Sequence, residues 1–484
     1  MINIKAISVN VGKALLVSAL FMAMSIGVSL IYGRDTGFGP LMISFVITLL
    51  VGAFPFIFVR KVPTLTLKDG YVTIVLAWVL SFIFGMLPYV LWGGEFTLMN
   101  AWFESVSGYT TTGATILNDI EALPKSLLFW RSSTHFIGGL GVVVFLLLVM
   151  PEASPYRLKL TNLELSSLSK EGYKYKSTKV VWIITSVYLV LASSSFLALW
   201  ASGMPLFDAV NHAFSIAATG GFSTRNLSIA AFDSQLINVV TMIFMCVAAM
   251  HFGLLYAVFV TRSFKPLKSP VVKYYLGTIL VASLMVAYSL IKDGDYESWG
   301  QAVMDASFTV ISYMSTTGFA NCNNASWPWL AALVLIFVSL HCGCSGSTTG
   351  GIKIDRLLVS FKALANEIKR RLHPSSVSQV KLGKVSLPDN VVGAVTMYIV
   401  IYVLVIFASV ILVVMCGTDV SDAVTGVIAS VGSVGPGVGD LGSLDNYSAQ
   451  LPMAKMIYTF DMFLGRLEIY PALIVISMIF KKEK

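Results

Sequence analysis

Glycine flanked by threonine or serine recurs in four short loops: TTTGAT at 110–115, ATGGFST at 218–224, STTGFAN at 315–321 and GSVGPGVG at 432–439. No nucleophile–base pair or cofactor fingerprint stands out in or around them, so nothing points to an enzyme. What they offer is backbone carbonyls and small hydroxyls. Rings of carbonyl oxygens replace the hydration shell of a dehydrated cation, and aiming them at a common axis asks for backbone angles that glycine adopts most readily. Any one such loop reads equally well as a turn between helices. Four at equivalent places read as the walls of one cation pathway.

The elements around the loops repeat with them. Each loop follows a short amphipathic stretch and lies between two apolar runs. The spans fall near 71–92 and 127–150, 180–202 and 235–261, 272–291 and 327 onward, and 391–416 and 453–480. The half-helices fall at Leu98–Tyr109, Leu206–Ala217, Trp299–Met314 and Val420–Val431. Gly113, Gly220, Gly318 and Gly435 take the same place in each copy on this reading, a period of roughly a hundred residues, too long for a solenoid unit. A half-helix cannot cross a bilayer, and irregular backbone at membrane depth is tolerated only where protein buries it or it lines water. The partial negative charge at a half-helix C-terminus favours a cation beyond it.

Composition agrees with a membrane protein. Charged residues make up 12% of the 484, against about a quarter in soluble chains, and the apolar runs reach the roughly 20 residues a spanning helix needs. The net charge of +8 does not indicate nucleic acid, because the basic residues lie in short segments between spans, as cytoplasmic loops do. They cluster at Arg60, Lys61 and Lys68, across 157–179, 262–273 and 353–384, and at Lys481 and Lys482. Ten spans with both termini inside satisfy this pattern. Residues 14–32 are read as an uncleaved first helix, paired with a second span at 39–59. The expected divisions are an N-terminal hairpin (1–60) and four pore repeats (61–155, 156–265, 266–375, 376–484), an all-α integral membrane fold with a pseudo-fourfold pore. Cys246, Cys322, Cys342, Cys344 and Cys416 form no disulfide framework. His135, His212 and His251 read as packing residues.

Two further features bear on passage through the pore. The last span of the third repeat is interrupted at HCGCSGSTTGGIK (341–353) and resumes as a basic amphipathic helix to about Leu372. A phosphate-binding loop is excluded, since Gly351-Ile352-Lys353 breaks the required Gly-Lys-Ser/Thr order. A metal clip from His341, Cys342 and Cys344 is a weak alternative. The favoured reading is a pliable plug beneath the loops, made of Gly343, Ser345, Gly346, Ser347, Thr348, Thr349, Gly350 and Gly351. In the last span stands Arg466, in the middle of DMFLGRLEIYP, with neither Asp461 nor Glu468 at the helical spacing of a partner. A charge at that depth is costly and needs a cavity or partner; it reads as a positive barrier below the loops.

The four loops and four-repeat layout resemble the Trk/Ktr/HKT superfamily of potassium transporters, and the extra hairpin resembles its bacterial TrkH/TrkG branch. The resemblance covers essentially the whole chain. It implies potassium as the ion, because glycine in the first loop (Gly113) goes with potassium preference, and no covalently bound cofactor. It implies an ion ring of carbonyls from Thr111 and Thr112, Ala218 and Thr219, Thr316 and Thr317, and Ser433 and Val434 beside the four glycines. It also supports the plug and a basic residue at Arg466. Implied partners are the lipid of a bacterial inner membrane, a second copy in a homodimer, and a TrkA-like cytosolic nucleotide-binding ring on the positive inner face. The fourth loop departs most, with Val434 and Pro436, so discrimination against rubidium or sodium is expected to be weaker than in a fourfold-identical ring. The alternative is a proton- or sodium-coupled secondary transporter with its solute site at the broken helix near 341–351.

Overall fold

A computed structural model describes residues 2–59, 65–149, 177–375, 379–383 and 385–480. The basic clusters at 60–61, most of 157–179 and 481–482, and the divisions expected near 60, 155 and 375, fall on or beside residues outside that set. Among the described residues the regular structure is helical apart from a two-residue antiparallel ladder, Lys381–Leu382 with Val385–Ser386.

The N-terminal hairpin is α1 (Ile4–Ile31) and α2 (Phe38–Phe58). They meet through small residues: a β-carbon on Gly12 would lie 2.6 Å from the Gly52 carbonyl oxygen, the close backbone approach that joins helices in lipid. The first repeat begins with α3 (Leu67–Gly85), whose N-terminus is a capping box of Thr66 and Asp69. Asp69 also accepts the Asn3 N–H at 2.8 Å, fixing the start of α1 beside the start of α3. The chain turns through α4 (Leu87–Trp92) into half-helix α5 (Leu98–Thr110) and returns as α6 (Lys125–Val149). The second repeat is α7 (Ser177–Ala201), half-helix α8 (Leu206–Ala218), α9 (Gln235–Ala248) and α10 (Phe252–Thr261). The third is α11 (Pro270–Lys292), half-helix α12 (Trp299–Met314), α13 (Trp329–His341) and α14 (Ile354–Leu372). The fourth is α15 (Asp389–Met415), half-helix α16 (Val420–Gly432), α17 (Pro452–Arg466) and α18 (Tyr470–Phe480). Among the described residues, six helices are long and apolar enough to cross a bilayer by length and composition, or seven if α9 and α10 form one bent span.

The sequence indicates one broken return helix; the described residues hold three. Besides the interruption at 342–353, α9 and α10 are bent by 100°, and α17 stops at Arg466 before α18 resumes at Tyr470. Glu468 and Ile469 there both have positive φ, 57° and 60°, a conformation β-branched residues strongly resist. The breaks satisfy one another. Cys344 N–H donates to the Ala249 carbonyl at 2.9 Å and Phe252 N–H to the Gly346 carbonyl at 3.1 Å, so the kink of the second repeat and the loop of the third share the backbone groups each frees.

Candidate functional site

The half-helices start from side-chain caps where their loops permit: Thr97 accepts from Asn100 N–H and Asp419 from Ser421 N–H. All four run inward and end the same way. One residue takes the left-handed conformation (Thr111, Thr219 and Thr316 at φ 54°, Ser433 at 53°). The next N–H returns to a carbonyl five residues back: Thr112 to Ser107 at 3.0 Å, Gly220 to Ser215 at 2.8 Å, Thr317 to Ser312 at 2.9 Å, Val434 to Ala429 at 2.8 Å. This is the bond pattern that closes a helix C-terminus. The residue after that is a glycine at positive φ: Gly113 (82°), Gly221 (85°), Gly318 (77°) and Gly435 (96°).

These glycines close a ring. A β-carbon on Gly113 would lie 2.0 Å from the Gly220 carbonyl oxygen, one on Gly221 2.0 Å from that of Thr317, one on Gly318 2.3 Å from that of Val434, and one on Gly435 2.4 Å from that of Thr112. Each wall thus presses its glycine against the next wall's carbonyl, in the order one, two, three, four and back to one. The second wall corrects the sequence reading by one residue. Gly221, not Gly220, matches Gly113, Gly318 and Gly435; Gly220 matches Thr112, Thr317 and Val434; and Ala218 falls a place before the ring. The Gly-Phe pairs at 221–222 and 318–319 carry that register in the sequence, while two adjacent glycines leave the loop alone ambiguous by one residue. Thr111, Thr219, Thr316 and Ser433 therefore make a layer with a hydroxyl on every wall, while the layer above carries Thr112, Gly220, Thr317 and Val434.

The walls are held from behind. Ser215 Oγ donates to the Phe222 carbonyl (2.8 Å) and Ser312 Oγ to that of Phe319 (2.7 Å). The Tyr447 hydroxyl donates to the Gly435 carbonyl (3.0 Å) and Tyr313 to that of Gly437 (2.6 Å). Behind the first two walls lies a buried ion pair that sequence reading passed over, Glu104–Arg131 at 2.7 Å. Its only sequence signal is a charge in the apolar stretch FWRSSTHF. Arg131 also donates to the Ser223 carbonyl at 3.1 Å, and Glu104 accepts from Thr115 Oγ1 and Ile116 N–H. Removing one member of a buried pair costs about 3–5 kcal/mol. We expect Arg131→Leu to lower the thermal unfolding midpoint in detergent sharply and Glu104→Gln with Arg131→Leu to recover much of the loss; a single variant as stable as wild type would contradict this.

On the side away from the 342–353 segment the ring opens into a cavity of about 180 Å³ lined by the four ring glycines with Asn118, Asn226 and Asp445. Asn226 Nδ2 donates to Asp119 and holds its carboxyl below the usual range, whereas burial and then the Asp440 charge raise that of Asp445.

Below the ring sits the 342–353 segment. Gly350 N–H donates to Thr316 Oγ1 at 3.2 Å, and a β-carbon on Gly350 would lie 2.2 Å from the Gly432 carbonyl oxygen. Thr348 Oγ1 donates to the Ala217 carbonyl at 3.1 Å and lies 3.4 Å from Thr219 Oγ1. The segment therefore closes against walls two, three and four. Ser345 bonds Asp355 through Oγ (2.6 Å) and N–H (2.8 Å), and Ser347 Oγ lies 2.8 Å from Thr349 Oγ1. Gly343, Gly346 and Gly351 allow close approach to Thr349, His251 and Cys342 respectively. His341 Nδ1 faces the Phe337 carbonyl and the Cys342 thiol donates to the Ser339 carbonyl; among the described residues no group of three His, Cys, Asp or Glu is placed to hold a metal.

Two buried cations grip this segment. Arg466 Nη1 donates to the Thr348 carbonyl at 2.7 Å, and Nη2 reaches the Gly138 carbonyl of α6 at 3.3 Å. Lys353 Nζ donates to the Thr349 carbonyl and, at 3.2 Å, to Thr349 Oγ1. Arg466 is the last residue of α17, next to Gly465, where that helix packs closely on α16: a β-carbon on Gly465 would lie 1.9 Å from the Val431 carbonyl oxygen. Glu468, two residues on, pairs with Arg356 of α14 at 2.7 Å, and Arg356 stacks over Tyr398.

Four inward half-helices, a closed ring of loop carbonyls and a bundle of apolar helices define an integral membrane protein with a pseudo-fourfold central pathway. The chain belongs to the TrkH family of cation transport proteins, whose family pattern matches residues 40–484. It is 33% identical over 430 residues, 88% of each chain, to the Trk system potassium uptake protein TrkH of Salmonella typhimurium. It is 31% identical over 471 residues, 96% of this chain and 95% of the other, to TrkG of Escherichia coli. The crystal structure of the potassium transporter TrkH from Vibrio parahaemolyticus superposes with a TM-score of 0.85 at 29% identity, over 99% of this chain and 100% of that one.

Proposed function

We propose that this chain is the membrane subunit of a potassium uptake system, passing the ion down its electrochemical gradient through the four-walled ring. The observation that carries this reading is the ring itself: four positive-φ glycines, each packed on the next wall's carbonyl, a layout with the carbonyl density needed to replace water around a cation. Thr111, Thr112, Gly113, Thr219, Gly220, Gly221, Thr316, Thr317, Gly318, Ser433, Val434 and Gly435 are the proposed ion-contacting set. The segment 343–351 with Arg466 is the proposed gate. The relatives' names, as components of a Trk system, support a bacterial inner-membrane setting with a regulatory partner, which we propose to be a cytosolic nucleotide-binding ring docked on a homodimer of this chain.

The test is flux of rubidium-86 into liposomes holding the purified protein and loaded with potassium. Uptake driven by the potassium gradient and competed by external potassium is expected, and uptake that needs a proton or sodium gradient would replace the channel reading by the symport one. Discrimination against sodium is expected to be incomplete. Above the hydroxyl layer two walls carry threonine, one glycine and one valine, so the cage is uneven there. Bi-ionic reversal potentials measure this, and near-absolute potassium selectivity would overturn it.

A further inference from the structure

Between α1, α3 and α6 lies a crevice of about 290 Å³, separate from the ring. Its walls are apolar, formed by Val17, Phe21, Ala77, Trp78, Phe136 and Leu140 among others. The Tyr109 hydroxyl within it is already bonded to Ser18 Oγ at 2.8 Å. Water gains little in such a space, and apolar cavities stay dry or take apolar guests. At one end stand Lys13 and Asn10. The Lys13 ammonium is exposed, and its hydrogen bond is to Asn10 Oδ1 at 3.4 Å; it has no carboxylate partner among the described residues. The helix rise places Lys13 about 12 Å from Phe21 along α1, on the side of α1's N-terminus, where the basic N-terminal tail sets the inner face of the membrane.

We infer that this crevice is a binding site for an anionic phospholipid of the inner leaflet, its phosphate on Lys13 and one acyl chain between α1, α3 and α6. Charge complementarity selects the occupant: an apolar slot at membrane depth ending in an ammonium with spare donors matches a phosphate ester carrying a hydrocarbon chain, and a lysine near the cytoplasmic leaflet attracts anionic lipid. The inner end of the crevice touches working parts. Tyr109 and Gly138 both line it; a β-carbon on Gly138 would lie 1.9 Å from the Tyr109 carbonyl oxygen, and the Gly138 carbonyl accepts from Arg466. A chain lodged there braces the contact between the first half-helix, α6 and Arg466.

The test is native mass spectrometry of the full chain released from nanodiscs of equimolar phosphatidylglycerol and phosphatidylcholine. Wild type is expected to retain phosphatidylglycerol preferentially, Lys13→Gln to lose that preference at least tenfold, and Lys13→Arg to keep it. Val17→Trp, at a half-exposed site on the crevice wall, is expected to reduce retention of both lipids; unfolding midpoints establish that the variants are folded. Equal retention of the two lipids by wild type, or unchanged preference in Lys13→Gln, overturns the proposal. So does a Val17→Trp variant that keeps its lipid but loses its dimer mass, which would assign the crevice to a second copy of the chain. None of these readouts depends on ion flux.

Discussion

Replacing Arg466 by alanine raises rubidium flux through the purified protein by roughly tenfold or more. The guanidinium is buried and paired with no carboxylate among the described residues; its two hydrogen bonds go to carbonyls, one on the plug at Thr348 and one on α6 at Gly138. A hydrogen bond to a charged group contributes about 1.5–3 kcal/mol, and 1.4 kcal/mol is tenfold in an equilibrium. If the segment must leave walls two to four for an ion to pass, losing this clamp shifts it toward leaving, and losing the positive charge also lowers the barrier to a cation below the ring. Lysine at 466 keeps the charge but cannot span both carbonyls, so Arg466→Lys falls between alanine and wild type. Lys353 still holds Thr349 in the alanine variant, so the two cations act on one segment and their effects are not additive. Arg356→Gln acts in the same direction and more weakly, because it removes the ion pair of Arg356 with Glu468 beside the strained Ile469 and lets the end of α17 shift. Flux is measured in proteoliposomes at matched protein incorporation. A folded Arg466→Ala protein that conducts at or below the wild-type rate would remove Arg466 from the proposed gate.

The parts of this arrangement that were legible in the sequence are those set by local rules. Half-helix lengths, the loop count and the interruption at 342–353 follow from apolar length and from clustered Gly, Ser and Thr, and the half-helix bounds agree with the structure to within a residue. What escaped is set by approach between distant segments. The kink at 249–251 carries no glycine or proline; it is held by the Cys344 N–H on the Ala249 carbonyl and the Phe252 N–H on the Gly346 carbonyl, across about a hundred residues of chain. The lack of an acidic partner for Arg466 at helical spacing is no sign of isolation, since its partners are backbone carbonyls. Glu468 stands at no helical spacing from Arg466, and its ion-pair partner Arg356 lies on another helix. The buried Glu104–Arg131 pair likewise joins a half-helix to a return helix, where no periodicity within either reveals it.

The register of the second wall offers the sharpest discrimination. Gly221→Ala is expected to reduce flux by more than about a hundredfold, a loss of at least about 2.8 kcal/mol. Its φ of 85° is one an L side chain adopts only with strain, and the new β-carbon meets the Thr317 backbone carbonyl at 2.0 Å. The obstacle is main chain in the ring itself, so no side-chain truncation relieves it. Gly220→Ala is also expected to be damaging, but for a removable reason. Gly220 has ordinary φ, its counterparts are Thr112, Thr317 and Val434, and the nearest obstacle to its β-carbon is the His135 imidazole, at 2.3 Å. Adding His135→Ala to Gly220→Ala therefore restores a substantial part of the flux, while adding it to Gly221→Ala restores none. Gly393→Ala, where a β-carbon has nothing within 4 Å, serves as the neutral control. Rescue of Gly221→Ala by His135→Ala, or a freely conducting Gly221→Ala protein, would return Gly220 to the place in the ring that the sequence alone suggested.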